Sequence, residues 1–143
     1  MTLASKGELK RGYWEFIIGN AEFLPLRDSS VDLIITSPPY YGAAMFTNGD
    51  ISRFETKDFN EYLGALRFLV DEADRVLKPR KYACIVVGDV YLGGRLLPLH
   101  SLFIEYFMKR FVLKHILIWY IWGGRKIKNG IRKEHEYILI FKR

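Results

Sequence analysis

Apolar positions along the chain follow two rhythms. Phe59, Tyr62, Leu63, Leu66, Leu69, Val70, Ala73, Val76 and Leu77 recur at i, i+3, i+4 and i+7, which predicts a helix over residues 59–77 with one buried face. Asp58 and Glu61 supply an N-cap and its capping-box partner, and Pro79 stops the run. A second helix is expected over residues 98–111, with Leu102, Phe103, Tyr106 and Phe107 on one face. The remaining apolar stretches are shorter and read as strands. Residues 13–18 (YWEFII) are aromatic and β-branched between Gly12 and Gly19. Residues 31–36 (VDLIIT) and 82–87 are short apolar runs of the kind buried in parallel sheets. Residues 112–121 and 136–141 are expected to close the chain as two further strands. Residues 21–26 leave room for a turn or two of helix at most, and residues 27–30 (RDSS) read as a loop.

Strand, helix and strand alternate, so the expected class is α/β with a mainly parallel sheet. The last two strands are joined by a Gly/Lys/Arg loop without a helix, which predicts an antiparallel pair at one edge. No repeat or linker divides the 143 residues, a length that suits one domain. Half of the residues are hydrophobic and 27% are charged, which excludes wholesale disorder. No apolar run has the roughly 18 residues of a membrane span, and the N-terminal segment lacks the apolar core of a secretory signal. With Cys84 as the single cysteine, a disulfide framework and a multi-cysteine metal site are excluded, and a cytoplasmic protein is expected. The 22 Lys and Arg against 16 Asp and Glu give a net charge of +6, which suits a polyanionic partner such as nucleic acid.

One segment carries chemistry. Val31–Thr36 is followed directly by Ser37-Pro38-Pro39-Tyr40, at the carboxyl end of a buried strand, where open α/β sheets bind ligands. As structure alone, the two prolines make a stiff turn, because they fix φ and hold the preceding residues extended. As chemistry, the tetrad suits a conjugated exocyclic amino group attacking a methyl donor. That nitrogen is a poor nucleophile because its lone pair is delocalised into the ring. Acceptors aimed at its N–H bonds draw it towards tetrahedral geometry and stabilise developing positive charge. Ser37 Oγ and the Pro38 carbonyl can be those acceptors, with Pro39 stiffening the loop and Tyr40 offering a flat face to an extruded base.

The tetrad and its surroundings resemble the amino-directed DNA methyltransferases, the N4-cytosine and N6-adenine enzymes that use S-adenosylmethionine. Ile17-Ile18-Gly19-Asn20-Ala21 resembles the family's Gly-Asp segment, with Asn20 in place of Asp. Arg75-Val76-Leu77-Lys78-Pro79 resembles its RVLKPGG segment, with Arg80 and Lys81 in place of the glycines. Ile85 to Asp89 resembles the next strand and turn, and Glu134 to Phe141 resembles the family's HEYILVF strand. The similarity spans residues 13–143. It implies a partial Rossmann-like sheet, S-adenosylmethionine as cofactor bordered by Asn20, Ala21, Thr36 and Ser37, and DNA as substrate. Serine in the first position of the tetrad is commoner in the N4-cytosine branch, so that target is expected ahead of adenine. Restriction-modification is the setting that the resemblance implies.

The resemblance also implies a gap. The family's glycine-rich cofactor turn follows the HEYILVF strand in permuted members, where the catalytic strand comes first, and the sequence reaches Arg143 at that point. Gly88-Asp89-Val90-Tyr91-Leu92-Gly93-Gly94 is a poor substitute in spacing. The expectation is therefore one domain over residues 1–143, the catalytic half of a permuted methyltransferase without a target-recognition domain. Residues 31–36 would then expose an apolar sheet edge that a second polypeptide or a second copy of the chain covers, the alternative being a degenerate or truncated remnant. Arg125, Lys126, Lys128, Arg132 and Lys133, together with Tyr41, are candidate DNA contacts, although a solvated charged loop explains the cations equally well. Residues 41–54 suit a loop closing over DNA or an ordinary surface loop. His115 and His135 have no neighbour at metal-ligand spacing and are expected to be structural, so no metal is expected. A non-catalytic methyltransferase-like subunit that holds DNA or a partner is the alternative, and an RNA or protein amide methyltransferase is a third.

Overall fold

The computed structural model describes residues 4–9, 12–42, 58–125 and 133–143. Its centre is a four-stranded sheet in the order β3-β4-β8-β7, made of Val31–Thr36 (β3), Leu77–Val87 (β4), Val112–Arg125 (β7) and Lys133–Lys142 (β8). β3 and β4 are parallel, whereas β8 runs antiparallel to both β4 and β7. The α/β class and the antiparallel pair at one edge follow the expectation, and among the described strands the parallel pairing is confined to β3 and β4. Two small antiparallel sheets stand apart: Ala4–Leu9 (β1) with Gly12–Ile17 (β2), and Val90–Leu92 (β5) with Arg95–Leu97 (β6). The β5–β6 turn uses Gly93 and Gly94 at φ 56° and 78°, so this glycine pair serves a hairpin.

The helix expected over residues 59–77 runs Phe59–Val76 (α1), and Asp58 caps it by accepting from the Asn60 and Glu61 amides. Its buried face is Tyr62, Ala65, Leu66, Leu69, Val70, Ala73 and Val76. The second helix, Leu99–Phe107 (α2), is shorter than expected, because residues 108–111 turn to bring the chain into β7. Residues 21–26 form no helix; a bridge between Asn20 and Phe23 folds them into a turn.

Both helices lie on one face of the sheet. Ala83, Ile85, Val87, Leu139 and Phe141 point into that layer and are buried with Leu99, Phe103 and Phe107 of α2. Phe107 is the hub, with ring centroids 4.8 Å from Phe141, 5.5 Å from Phe111 and 6.4 Å from Phe103. Replacing Phe107 with Ala is expected to cost about 3–5 kcal/mol, from lost burial and the cavity left behind, as read by urea unfolding.

Arg75 ties α1 to the segment leading into β3. Its guanidinium donates to the Leu24 and Leu26 carbonyls at 2.9 and 2.8 Å, to Asp28 at 2.7 Å and to Glu72 at 2.8 Å. Glu72 in turn accepts from the Leu24 amide at 2.8 Å. The Arg75 hydrogen bond holds the Glu72 carboxyl below its ordinary value, against an opposing push from burial. This contribution to stability is complete above the unfolded-state value and is lost as pH falls through the lower folded-state value. Unfolding midpoints of a Glu72→Gln variant should therefore depend less on acid than those of the parent.

Just beyond the same end of α1, Arg80 and Lys81 stand where the resemblance has glycines. Arg80 adopts φ 65°, in the left-handed region that favours glycine. Its amide donates to the Arg143 carbonyl and the Arg143 amide to the Lys81 carbonyl, each at 3.0 Å, which holds the bend in place. Lys78 and Lys81 reach Asp32 across the bend at 2.6 and 3.1 Å. Among the described residues no helix is long and apolar enough to cross a membrane.

Candidate active site

The tetrad leaves β3 at the carboxyl ends of the parallel pair, as expected. Register places Thr36 beside Ile85 in β4, so Ser37 begins where β4 approaches Gly88. Ser37 is exposed, Pro38 is buried, and Pro39 and Tyr40 are half-buried. The loop is held from below by α1. Tyr62 donates its hydroxyl to the Pro39 carbonyl at 3.2 Å and is also hydrogen-bonded to the Tyr41 backbone. Burial pushes the Tyr62 phenol far up, so it stays a protonated donor. Tyr41, a candidate DNA contact, turns its ring into this cluster, 5.1 Å from Phe59 and 5.3 Å from Tyr62. Gly42 follows at φ 73°, and a Cβ there would come within 2.7 Å of Leu92.

Tyr40 is anchored through its hydroxyl. Burial raises the phenol above its ordinary value. Hydrogen bonds from Ser37 and the Gly88 backbone pull it down, and the Glu136 carboxylate, by charge and as acceptor, pushes it up. Glu136 reaches this position because β8 is antiparallel to β4. The pairing of Val87 with Tyr137 puts the start of β8 beside the end of β4. On the other side of Gly88, Asp89 accepts from both the His100 amide at 3.2 Å and His100 Nδ1 at 2.7 Å. The His100 ring stacks on Tyr137 with centroids 4.1 Å apart, fastening the first turn of α2 to β8.

Thus Thr36, Ser37, Pro38, Pro39 and Tyr40 come together, joined by Gly88 and Glu136. Asn20 and Ala21 follow β2, which belongs to a separate sheet, and no strand pairing joins them to Thr36 or Ser37. Asn20 Oδ1 accepts from the Glu22 amide at 2.9 Å and so shapes its own turn. Arg125 and Lys133 are backbone partners at the ends of β7 and β8, whereas Lys126, Lys128 and Arg132 lie outside the described residues, as do residues 43–54 of the loop after the tetrad. A cavity of about 310 Å³ between the helices is lined by Arg67, Val70, Asp71, Tyr106, Lys109 and Arg110, with no tetrad residue among them. Glu136 is the site residue that motif reading missed. Its only sequence signal was its place in the HEYILVF-like strand.

β3 forms the edge of the described sheet, as expected. Leu33 and Ile35 are 51% and 69% exposed and pair with Tyr82 and Cys84 on the face turned away from the helices.

A half-covered sheet carrying a Ser-Pro-Pro-Tyr exit loop defines a partial Rossmann-like methyltransferase fold. TTHA0409 of Thermus thermophilus, assigned as a DNA modification methylase and solved with S-adenosyl-L-methionine, superimposes with a TM-score of 0.66 at 29% identity, over 88% of this chain and 51% of that one. The PvuII cytosine-N4-specific DNA methyltransferase shares the fold at 18% identity, with a TM-score of 0.61 over 87% of this chain and 47% of that one. The DNA methylase family model for N6 and N4 methyltransferases matches residues 31–143, and the chain belongs to that family. The type II methyltransferase M.HpaI of Haemophilus parainfluenzae is 30% identical over 116 residues, which are 81% of this chain and 34% of that protein. The chain thus spans about half the length of the solved relative and about a third of the curated one.

Proposed function

We propose that the chain is the catalytic half of an S-adenosylmethionine-dependent DNA amino-methyltransferase. The observation that carries this reading is the placement of Ser37-Pro38-Pro39-Tyr40 at the end of β3, stiffened by two prolines and fastened by Tyr62 and Glu136. S-adenosylmethionine supplies an electrophilic methyl group when bound. Thr36 and Ser37 border it from this chain, and the Asn20-Ala21 turn joins them if the β1–β2 hairpin folds back towards the edge. Ser37 Oγ and the Pro38 carbonyl accept from the target amine as its nitrogen gains positive charge, and Tyr40 stacks on the extruded base. Serine in the first position favours N4 of cytosine over N6 of adenine. The basic residues Arg125, Lys126, Lys128, Arg132 and Lys133 hold DNA phosphates, and Tyr41 braces the loop from its half-buried position.

The uncovered sheet face supports a further part of the reading: a second polypeptide, or a second copy, completes the sheet and the cofactor pocket. Sheets of this kind are stable when helices cover both faces, and here α1 and α2 cover one. The same open edge favours the alternative of a subunit that holds DNA without doing chemistry. Methylation of duplex DNA by the assembled protein separates the two. Mass analysis of the nucleosides then distinguishes N4-methylcytosine from N6-methyladenine, with Ser37→Ala as the inactive control. Full activity of Ser37→Ala would sink the catalytic reading.

A further inference from the structure

A methylated amine must lose a proton, and the tetrad offers a path for it. The Ser37 hydroxyl meets the Tyr40 hydroxyl, which also meets the Glu136 carboxylate. An ionised carboxylate can only accept, so Tyr40 gives its hydroxyl hydrogen to Glu136 and is left to accept from Ser37. With its hydrogen given to Tyr40, the exposed Ser37 Oγ keeps a lone pair with which to accept from an amine N–H. Strand register fixes the ends of this chain of hydroxyls. Ser37 leaves β3 one residue after the Thr36–Ile85 pair, and Glu136 precedes the Tyr137–Val87 pair on the neighbouring strand of β4. Tyr40 spans the end of β4 between them and is fastened there by the Gly88 backbone.

We propose that Ser37, Tyr40 and Glu136 form a proton relay that carries the proton off the target amine, with the Glu136 carboxylate as its terminal acceptor. The inference rests on the amino-methyltransferase reading above. In the step, the nitrogen–methyl bond forms as the methyl–sulfonium bond breaks, leaving a neutral thioether. One N–H proton passes to Ser37 Oγ, the Ser37 proton to Tyr40 Oη and the Tyr40 proton to Glu136, which ends as a carboxylic acid. Glu136 touches no substrate and acts through Tyr40, so it is a positioning residue with a proton-accepting role. The other titratable groups at this end of the sheet are His135 and Tyr137 on β8, Tyr62 on α1, and Asp89 and His100 at the junction of β4 and α2.

The relay is tested on the chain itself, without donor or DNA. Tyrosine ring carbons are labelled, Tyr40→Phe assigns the Tyr40 signal, and its titration is followed by NMR. Glu136→Gln is expected to move the Tyr40 midpoint down, because a negative charge and an acceptor are removed. Ser37→Ala is expected to move it up, because a donor to the phenolate is removed. An unmoved midpoint in either variant breaks the chain at that link and overturns the proposal. In the assembled enzyme, Glu136→Gln should lower turnover roughly 10²-fold. A rate loss in Glu136→Gln with an unmoved Tyr40 midpoint would mean packing alone and would also overturn the relay. The amino-methyltransferase reading fails by a different result, undiminished methylation by Ser37→Ala, so the two failures are distinguishable.

Discussion

Methyl transfer by the assembled protein is expected to fall about 10²–10³-fold when Ser37 becomes alanine, the loss typical for removing one preorganised group that meets developing charge. The amine nitrogen goes from planar and neutral to tetrahedral and positive, so an acceptor fixed beside its N–H bonds matters more in the transition state than before it. Turnover should therefore fall while DNA binding stays near its parent value. Ser37 is exposed and outside the core cluster, so the variant should unfold at the parent's denaturant midpoint. Tyr40→Ala should lose as much activity by a different route, because it removes the proposed base-stacking face together with the link between Ser37 and Glu136. A tritiated-methyl assay on duplex DNA, with unfolding curves alongside, reads all of these. Activity lost together with the fold would instead place Ser37 among the structural residues of the loop.

The parts of this molecule that are legible in its sequence are those set by short-range pattern. The apolar stripe on α1 and its Asp58 cap give the helix to within a residue, because burial and capping are local signals. β1 escapes such a reading for the same reason in reverse. ASKGEL has no apolar alternation, and it becomes a strand only by pairing with Gly12–Ile17. The β5–β6 hairpin is three residues a side and reads as loop around its glycines. In the site, the tetrad announces itself through its prolines and the apolar strand in front. Glu136 lies far along the chain, and its approach to Tyr40 depends on β8 running antiparallel beside β4. No periodicity encodes that register.

Calorimetry of S-adenosylmethionine with the chain alone is expected to show no binding at micromolar concentrations. In the proposed site Thr36 and Ser37 supply one wall, at the end of the edge strand β3, and a ligand held from one side keeps only part of its contacts. The difference between a site of about 1 μM and one of about 1 mM is about 4 kcal/mol, so losing the opposite wall is enough to put binding out of reach. Supplying a polypeptide that matches the half of the solved relatives this chain does not span should restore micromolar binding. It should also shield the apolar face that Leu33 and Ile35 expose. Ile35→Lys then separates assembly from folding. At 69% exposure the residue contributes little to the core, so the variant should fold normally. A charge buried unpaired against the incoming surface should nevertheless block restoration of binding. Micromolar affinity in the chain alone would mean that self-association supplies the second wall, and Ile35→Lys should abolish that affinity too. Affinity that survives Ile35→Lys in a monomer would place the cofactor away from the β3 edge altogether.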